Sequence, residues 1–314
     1  MDPDTEVQFE FPGLIRCYKS GRVERSAAPA PAPPSLDPIT GVASRDVALD
    51  ASSAPLRARL YLPSLLAHEQ EQEQEQERKL PLLVYFHGGG FVVGSASAPA
   101  EHSFLNLLCA RAGALALSVD YRLAPEHPLP AAYDDALAAL RWATSAAPAP
   151  DPWLSRHADL TRVFSIGFSA GANIAYNVAR ALPPGALKGL VLIHPLLLSS
   201  ALSPSEPRDA ALRAKIEEGW RFVCPGTCGV DDPRVNPMGP GLKDLGCERV
   251  MVCIAEDELM ERGRAYYEAL RASGWGGSAE LVESEGEGHE FFLQNPGSEK
   301  AVAMMERLAA FINR

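Results

Sequence analysis

The chain contains 314 residues, of which 29 are basic and 40 acidic, so its formal net charge is −11 at pH 7. With 46% hydrophobic residues it can bury a substantial core, which excludes a wholly disordered chain. Proteins that bind the phosphate backbone need a basic face, so the acidic balance predicts no nucleic-acid partner.

Apolar segments and cysteines exclude further classes of protein. The most apolar segment, 189–198, contains His194 and Pro195 and is far shorter than the roughly 20 residues that span a bilayer. The first residues are acidic where a targeting peptide would be basic. Cys224 and Cys228 have no second pair at metal spacing, and the six cysteines do not resemble a disulfide framework. We therefore predict a cytoplasmic protein with reduced thiols, no membrane partner and no metal.

The segments before residue 80 are short and differ in composition. In chain order they predict a strand pair (14–18 and 22–25), an extended Pro/Ala-rich connector (27–38), an edge hairpin (42–49 and 56–62) and a solvated Glu/Gln loop (69–77). Proline lacks a backbone donor, so the connector cannot continue a helix or pair as a central strand.

From residue 80 onward, short apolar runs alternate with longer helix-like stretches. The predicted strands are 80–86, 114–119, 162–166, 189–193, 250–255 and 279–282. The predicted helices are 102–111, 131–145, 172–182, 261–272 and 298–312. Buried strands with helices between them are typical of a parallel, doubly wound sheet, so we predict an α/β fold. The span 198–247 is long for one crossover, and its predicted helix, 207–222, indicates an inserted lid.

The segment Gly167-Phe168-Ser169-Ala170-Gly171 matches the pattern G-x-S-x-G between a predicted strand and a predicted helix. A nucleophile elbow requires this strand–turn–helix context, in which a strained turn lifts the serine hydroxyl above the sheet. Both glycines are needed because Cβ atoms there would collide with the strand and the helix. A tight turn with an idle serine is the alternative, and the context favours Ser169 as a nucleophile.

The segment His87-Gly88-Gly89-Gly90-Phe91 directly follows the predicted strand 80–86. Glycines there let backbone N–H groups point into a cleft and bind the oxyanion of a tetrahedral intermediate. We predict Gly88, Gly89, Gly90 and Ala170 as the oxyanion hole. A phosphate-binding loop is the alternative, but no Gly-Lys-Ser/Thr follows. His87 is interpreted as a brace for the loop rather than as a base.

A serine nucleophile needs a histidine base, and the base needs a carboxylate that fixes its tautomer and stabilises its cation. In hydrolases with this elbow, the chain order is serine, acid, histidine. Two histidines follow Ser169. His194 ends a buried strand and is interpreted as a structural core histidine, whereas His289 lies in a glycine-rich loop after the last strand. We therefore predict His289 as the base.

The acid is expected after the predicted strand 250–255, where Glu256, Asp257 and Glu258 follow one another. Asp257 is predicted because the centre of this loop points furthest toward the cleft. Glu256 and Glu258 remain rivals by charge, and Asp257 could instead cap the following helix. The segment 120–126, Asp-Tyr-Arg-Leu-Ala-Pro-Glu, is interpreted as a turn with a structural ion pair.

Together these motifs resemble the hormone-sensitive-lipase-like branch of the α/β-hydrolases. More closely, the chain resembles the plant carboxylesterase family, which also contains the gibberellin receptors and the hydroxyisoflavanone dehydratases. The resemblance runs nearly end to end and rests on residues 9–12, 18–25, 87–91, 120–130, 167–171, 257–259 and 288–289. The Glu/Gln tract has no counterpart in the family pattern.

The resemblance implies a single α/β-hydrolase domain, 1–314, with a mostly parallel eight-stranded sheet flanked by helices. It also implies a cap built from the N-terminal arm, 1–38, and from the insertion 198–247 after the sixth strand. The implied activity is that of a serine carboxylesterase, which hydrolyses small-molecule esters through an acyl-enzyme intermediate without a cofactor. A monomer or homodimer is expected.

Two other functions stay open, a dehydratase acting on hydroxyisoflavanone-type substrates and a hormone receptor-like protein. The gibberellin receptors have lost the catalytic histidine, whereas this chain has His289. The dehydratases typically carry threonine at the nucleophile position, whereas this chain has Ser169. Both differences favour ester hydrolysis, although serine-bearing members can dehydrate and a complete triad can coexist with ligand sensing.

Overall fold

The computed structural model describes residues 2–26, 28–50, 55–64, 79–145, 151–201, 210–257 and 259–314. Several predictions fall wholly or partly outside these residues. The Glu/Gln loop 69–77 and the rival acid Glu258 lie wholly outside them. So do the first residue of the connector 27–38 and the start of the lid helix predicted at 207–222, which belongs to the insertion 198–247.

The N-terminal arm forms a small antiparallel sheet of three strands. In spatial order they are β1 (Val7–Phe11), β2 (Ile15–Tyr18) and β3 (Val23–Arg25). The predicted strand pair corresponds to β2 and β3, whereas β1 is a third strand that the sequence analysis did not identify. Phe9, Ile15 and Cys17 are buried because one face of this sheet packs against the main core.

The second sheet has eight strands in the order β11-β10-β9-β8-β6-β7-β5-β4. Its members are β4 (Ala43–Ala48), β5 (Arg57–Leu62), β6 (Leu80–Phe86), β7 (Leu115–Asp120), β8 (Ala158–Phe168), β9 (Gly189–Ile193), β10 (Arg249–Ala255) and β11 (Ser278–Ser284). β5 pairs antiparallel with both β4 and β7, and the other neighbours are parallel. The predicted α/β class with a mostly parallel eight-stranded sheet is confirmed, and β4–β5 is the predicted edge hairpin.

Helices cover both faces of the second sheet. They are α1 (Pro99–Ala112), α2 (Ala131–Ala143), α3 (Pro152–His157), α4 (Ala170–Ala181), α5 (Ala210–Val223), α6 (Met260–Ala272), α7 (Phe291–Gln294) and α8 (Glu299–Asn313). In β6, Val84 and Phe86 pack in the layer of α2, α4 and α6, whereas Leu83 and Tyr85 pack in the layer of α1 and α8. Since both faces are covered, the strand is apolar throughout. The short helices α3 and α7 were not predicted.

The chain between β9 and β10 carries α5, which overlaps the predicted lid helix. Phe9 of β1 stacks on Phe222 of α5, with ring centroids 4.0 Å apart. The N-terminal arm and α5 therefore contact each other, and both line a cavity beside the carboxyl end of β8.

Candidate active site

Ser169 occupies a sharp turn between β8 and α4, with φ 55° and ψ −117°. A positive φ is strained for a residue with a side chain, and glycines on both sides make the turn possible. A Cβ at Gly167 would lie 2.0 Å from the carbonyl oxygen of Gly171, and a Cβ at Gly171 would lie 2.0 Å from that of Phe86. The turn expected from the motif is therefore present. It holds Ser169 at the N-terminus of α4, where the helix dipole favours negative charge.

His289 and Asp257 form a line of hydrogen bonds with Ser169. His289 Nε2 lies 2.9 Å from Ser169 Oγ, and His289 Nδ1 lies 2.6 Å from Asp257 Oδ2. In a neutral imidazole, Nδ1–H donates to the carboxylate and Nε2 accepts from the serine hydroxyl. The structure thus brings together three side chains that were predicted from motif order, although Ser169 and His289 are 120 residues apart.

Asp257 is held in its charged form. Its side chain is 6% exposed, and Oδ1 accepts a hydrogen bond from the backbone N–H of Leu259 at 2.8 Å. Burial acts to raise the pKa of Asp257, but the hydrogen bond and charge of His289, with the Leu259 N–H, outweigh it and hold this pKa below its usual value. The carboxylate can therefore stabilise an imidazolium at neutral pH.

Glu256, one of the two rival acids, contacts the loop that carries His289. Its carboxylate accepts a hydrogen bond from the backbone N–H of Gly286 at 2.7 Å. Its own backbone N–H donates to the carbonyl oxygen of Glu287 at 2.9 Å. Glu256 thus binds the main chain of the loop that precedes His289, whereas the carboxylate of the neighbouring Asp257 contacts the imidazole itself.

Two of the three predicted glycines border the cleft at Ser169. Gly89 and Gly90 have φ values of 110° and 61°, and they line the same cavity as Ser169. Within the part of the chain that the structure describes, the backbone N–H groups of Gly89, Gly90 and Ala170 donate no hydrogen bond. Three backbone donors are therefore free near the serine.

Gly88 and His87, from the same glycine-rich segment, do not line the cavity and pack instead against buried neighbours. A Cβ at Gly88 would lie 2.6 Å from the ring of Phe168, and its backbone N–H contacts the buried carboxylate of Glu101. His87 is buried, its Nδ1 lies 2.7 Å from the carbonyl oxygen of Gly88, and its ring stacks on Tyr121. These contacts agree with the interpretation of His87 as a brace.

The segment 120–126 forms two ion pairs, Arg122 with Asp135 and Glu126 with Arg25. Arg25 belongs to β3 of the N-terminal arm, and it also donates to the backbone carbonyl oxygen of Val92 at 2.6 Å. Val92 directly follows the segment 87–91, which contains the three glycines. The arm is thus fastened beside the three free backbone donors, a contact that the sequence analysis did not identify.

A cavity of about 530 Å³ opens beside Ser169. Most of its lining side chains are apolar: Phe9, Phe11, Leu14, Ile15, Phe91, Val92, Phe168, Leu196, Leu198, Ile216, Trp220, Val223 and Leu259. Besides His289, the ionisable side chain among the described lining residues is Glu290. The cavity can therefore hold a small, largely apolar molecule with a polar group turned toward Ser169.

One cluster of described residues has the donor types of a metal site. The ligand atoms of His194, Asp257 and His289 lie within 4.8 Å of one another. However, His289 Nδ1 is bonded to Asp257, and His194 Nδ1 lies 2.6 Å from the carbonyl oxygen of His289. Both histidines and the carboxylate thus already take part in hydrogen bonds with one another, so hydrogen bonding describes this cluster better than metal ligation.

A family model and several curated proteins are similar in sequence to this chain. A family model described as the alpha/beta hydrolase fold matches residues 83–293. Tuliposide A-converting enzyme 2, chloroplastic, from Tulipa gesneriana is 42% identical over 315 residues, which cover 98% of this chain and 79% of that protein. Probable carboxylesterase 2 from Arabidopsis thaliana is 40% identical over 317 residues, which cover 98% of this chain and 97% of that protein.

Solved structures agree with the sequence relatives. An esterase from Pyrobaculum calidifontis matches with a TM-score of 0.69 at 30% identity, covering 86% of this chain and 82% of that one. An ester-hydrolase from the metagenome of Lake Arreo matches with a TM-score of 0.69 at 28% identity, covering 90% and 84%. Among the described residues, no helix has both the length and the apolar character needed to cross a membrane. The chain therefore belongs to the α/β-hydrolase fold family and, within it, to the plant carboxylesterases.

Proposed function

We propose that this protein is a serine carboxylesterase, which hydrolyses small-molecule carboxylic esters through an acyl-enzyme intermediate. The line of contacts from Asp257 through His289 to Ser169, of 2.6 and 2.9 Å, carries the proposal. Two further observations support it: the apolar cavity beside Ser169, and the esterases and carboxylesterases among the relatives.

In the first half of the reaction, Ser169 Oγ attacks the ester carbonyl carbon while its proton passes to His289 Nε2. The carbonyl π electrons move onto oxygen, and Asp257 stabilises the imidazolium that forms. The C–O bond to the alcohol then breaks, and His289 gives its proton to the leaving oxygen. Water repeats these steps on the acyl-enzyme, so that the acid is released and the Ser169 hydroxyl is restored.

The negative charge of each tetrahedral intermediate needs hydrogen-bond donors that are already in place. We assign this role to the backbone N–H groups of Gly89, Gly90 and Ala170. Gly89 and Gly90 line the cavity, Ala170 directly follows Ser169, and none of these N–H groups has another acceptor among the described residues. Each such donor typically contributes about 3 kcal/mol to transition-state stabilisation. Gly88 was included in the predicted set, and its contact with Glu101 favours a supporting role instead.

The substrate class follows from the cavity wall. Its apolar lining favours uncharged acyl and alcohol groups, and the Glu290 carboxylate disfavours esters that carry a negatively charged substituent. For the chain as a whole we propose one catalytic domain, 1–314. The N-terminal arm, 1–38, and the insertion 198–247 then serve as the cap over the substrate.

The location is also a proposal. We propose a cytoplasmic protein, as predicted in the sequence analysis, whereas the tulip relatives carry chloroplastic or amyloplastic in their names. A full-length fluorescent fusion in plant cells tests this, and fluorescence inside plastids would replace the proposal with a plastid location.

The test of function is hydrolysis of p-nitrophenyl butyrate by the wild type, Ser169→Ala and Ser118→Ala. Ser118 is a buried strand serine whose hydroxyl has no partner among the described residues, so its loss should leave turnover unchanged. We expect Ser169→Ala to lower kcat about 10⁶-fold. Retained activity in this variant would refute the nucleophile. If the wild type itself is inactive, elimination on a hydroxyisoflavanone and ligand binding without turnover become the functions to measure.

A further inference from the structure

His194 lies at a backbone position that is unusual for its residue type. It follows the last residue of β9, has a φ of 43°, and its side chain is 1% exposed. A left-handed conformation costs free energy for a residue other than glycine, so surrounding contacts must hold it in place.

The backbone around His194 is bonded to the nucleophile turn. Ser169 N–H donates to the carbonyl oxygen of Ile193 at 2.9 Å, and Leu196 N–H donates to the carbonyl oxygen of Ser169 at 3.1 Å. Both backbone polar groups of the nucleophile are thus tied to the four residues 193–196. The positive φ at His194 turns the chain between these two bonds.

The side chain of His194 is bonded to the base. Its Nδ1 donates to the backbone carbonyl oxygen of His289 at 2.6 Å. Its Nε2 is buried and has no hydrogen-bond partner among the described residues, which agrees with a proton on Nδ1. Phe291 and Phe292 pack around the ring, with centroids 5.7 and 5.6 Å away. One imidazole N–H therefore joins the nucleophile turn to the main chain of the base.

The charge state of His194 suits this role. Burial lowers the pKa of His194 to about 4, and the neighbouring charge of His289 acts in the same direction. The ring centroids of His194 and His289 are 5.7 Å apart. Because His194 stays neutral at neutral pH, it donates a hydrogen bond without opposing the imidazolium that forms on His289.

We propose that His194 is a positioning residue for acyl transfer, which holds the His289 main chain so that the imidazole stays in line with Ser169 and Asp257. This inference rests on the proposed esterase function. His194 does not touch the reacting atoms, and its effect passes through His289. It should therefore act on kcat, whereas the apolar cavity sets KM.

The test compares His194→Leu, His194→Asn and His194→Gln with the wild type on p-nitrophenyl butyrate. Asparagine can place an N–H near the position of Nδ1, whereas glutamine places one near that of Nε2. We expect Leu and Gln to lower kcat about 100-fold with KM unchanged, the order of loss for a displacement of about 1 Å. His194→Asn should keep most of the wild-type kcat.

The matched control is His102→Leu, which removes another buried histidine that bonds to Tyr61 rather than to the site. It should lower the melting temperature without lowering kcat. Wild-type kcat in His194→Leu, or equal kcat in the Asn and Gln variants, would overturn the inference. If the Leu variant does not fold, the Asn and Gln pair alone decides. A wild type without turnover would instead refute the esterase proposal, which keeps the two failures distinct.

Discussion

Replacing Asp257 with asparagine is the sharpest perturbation of the proposed charge arrangement. The change keeps the shape of the side chain, and an amide can still accept the Leu259 N–H that now bonds to Oδ1. It removes the negative charge that lies 2.6 Å from His289 Nδ1. An amide N–H turned toward the imidazole would also favour the tautomer with its proton on Nε2, which cannot accept the Ser169 proton.

The size of the effect can be worked from this geometry. The charge centres of an imidazolium and a carboxylate in such contact are about 4 Å apart, which gives about 4 kcal/mol at the effective dielectric constant near a protein surface. Losing that stabilisation from the transition state lowers the rate about 10³-fold. The unfavourable tautomer adds to it, so we expect kcat of Asp257→Asn to fall about 10⁴-fold.

The assay is steady-state hydrolysis of p-nitrophenyl butyrate, with Glu256→Gln as the matched control. Glu256 is the adjacent acid, and its carboxylate accepts only the Gly286 N–H at the base loop among the contacts described. Its variant should lose less than tenfold in kcat. A loss of less than tenfold in Asp257→Asn would refute this reasoning, and Glu258→Gln would then be measured as the variant of the remaining rival.

Two further predictions concern the surroundings of the site. Glu101 is buried, and burial raises its pKa to about 7 despite hydrogen bonds from Tyr85 and Gly88, so its folded state keeps a proton that the unfolded chain releases above about pH 4.5. The free energy of unfolding should therefore fall as pH rises from about 4.5 to about 7. Glu101→Gln should reduce the fall between pH 5 and 8 by about 3 kcal/mol, as measured by urea unfolding at each pH. The same pH dependence in wild type and variant would contradict this prediction. Arg25→Met removes the contacts of the N-terminal arm with Glu126 and Val92. Because residues of the arm line the cavity, this variant should raise KM about tenfold at constant kcat. An unchanged KM would show that these contacts do not hold the arm at the cavity.

The parts of the fold that sequence reasoning identified are those with local signals. Strand β6 is a continuous apolar run, and the glycine-rich loop follows it directly. The turn at Ser169 needs glycine at two fixed positions because neighbouring backbone atoms leave no room for a Cβ. His289 followed from chain order, since few histidines come after the serine. In each case, the physical constraint lies within a few residues of the motif.

The features that were missed depend on contacts between distant segments. β1 alternates weakly in burial, and only Phe9 among its five residues is fully buried, so the strand is defined by pairing with β2. The bond from His194 to the backbone of His289 spans 95 residues, and no local pattern encodes it. The choice between Glu256 and Asp257 depends on such contacts too, because the Glu256 carboxylate binds the Gly286 N–H whereas that of Asp257 contacts His289.

Burial acts on several ionisable groups at this site, and their partners decide the charge that each one keeps. Asp257 stays charged because the His289 imidazole and a backbone N–H both donate to it. Glu101 also accepts two hydrogen bonds, yet burial outweighs them and raises its pKa. His194 and His87 have lowered pKa values and remain neutral. The permanent charge closest to the base is therefore the one that stabilises its cation, and the buried neutral groups around it shape the loops without competing for the proton.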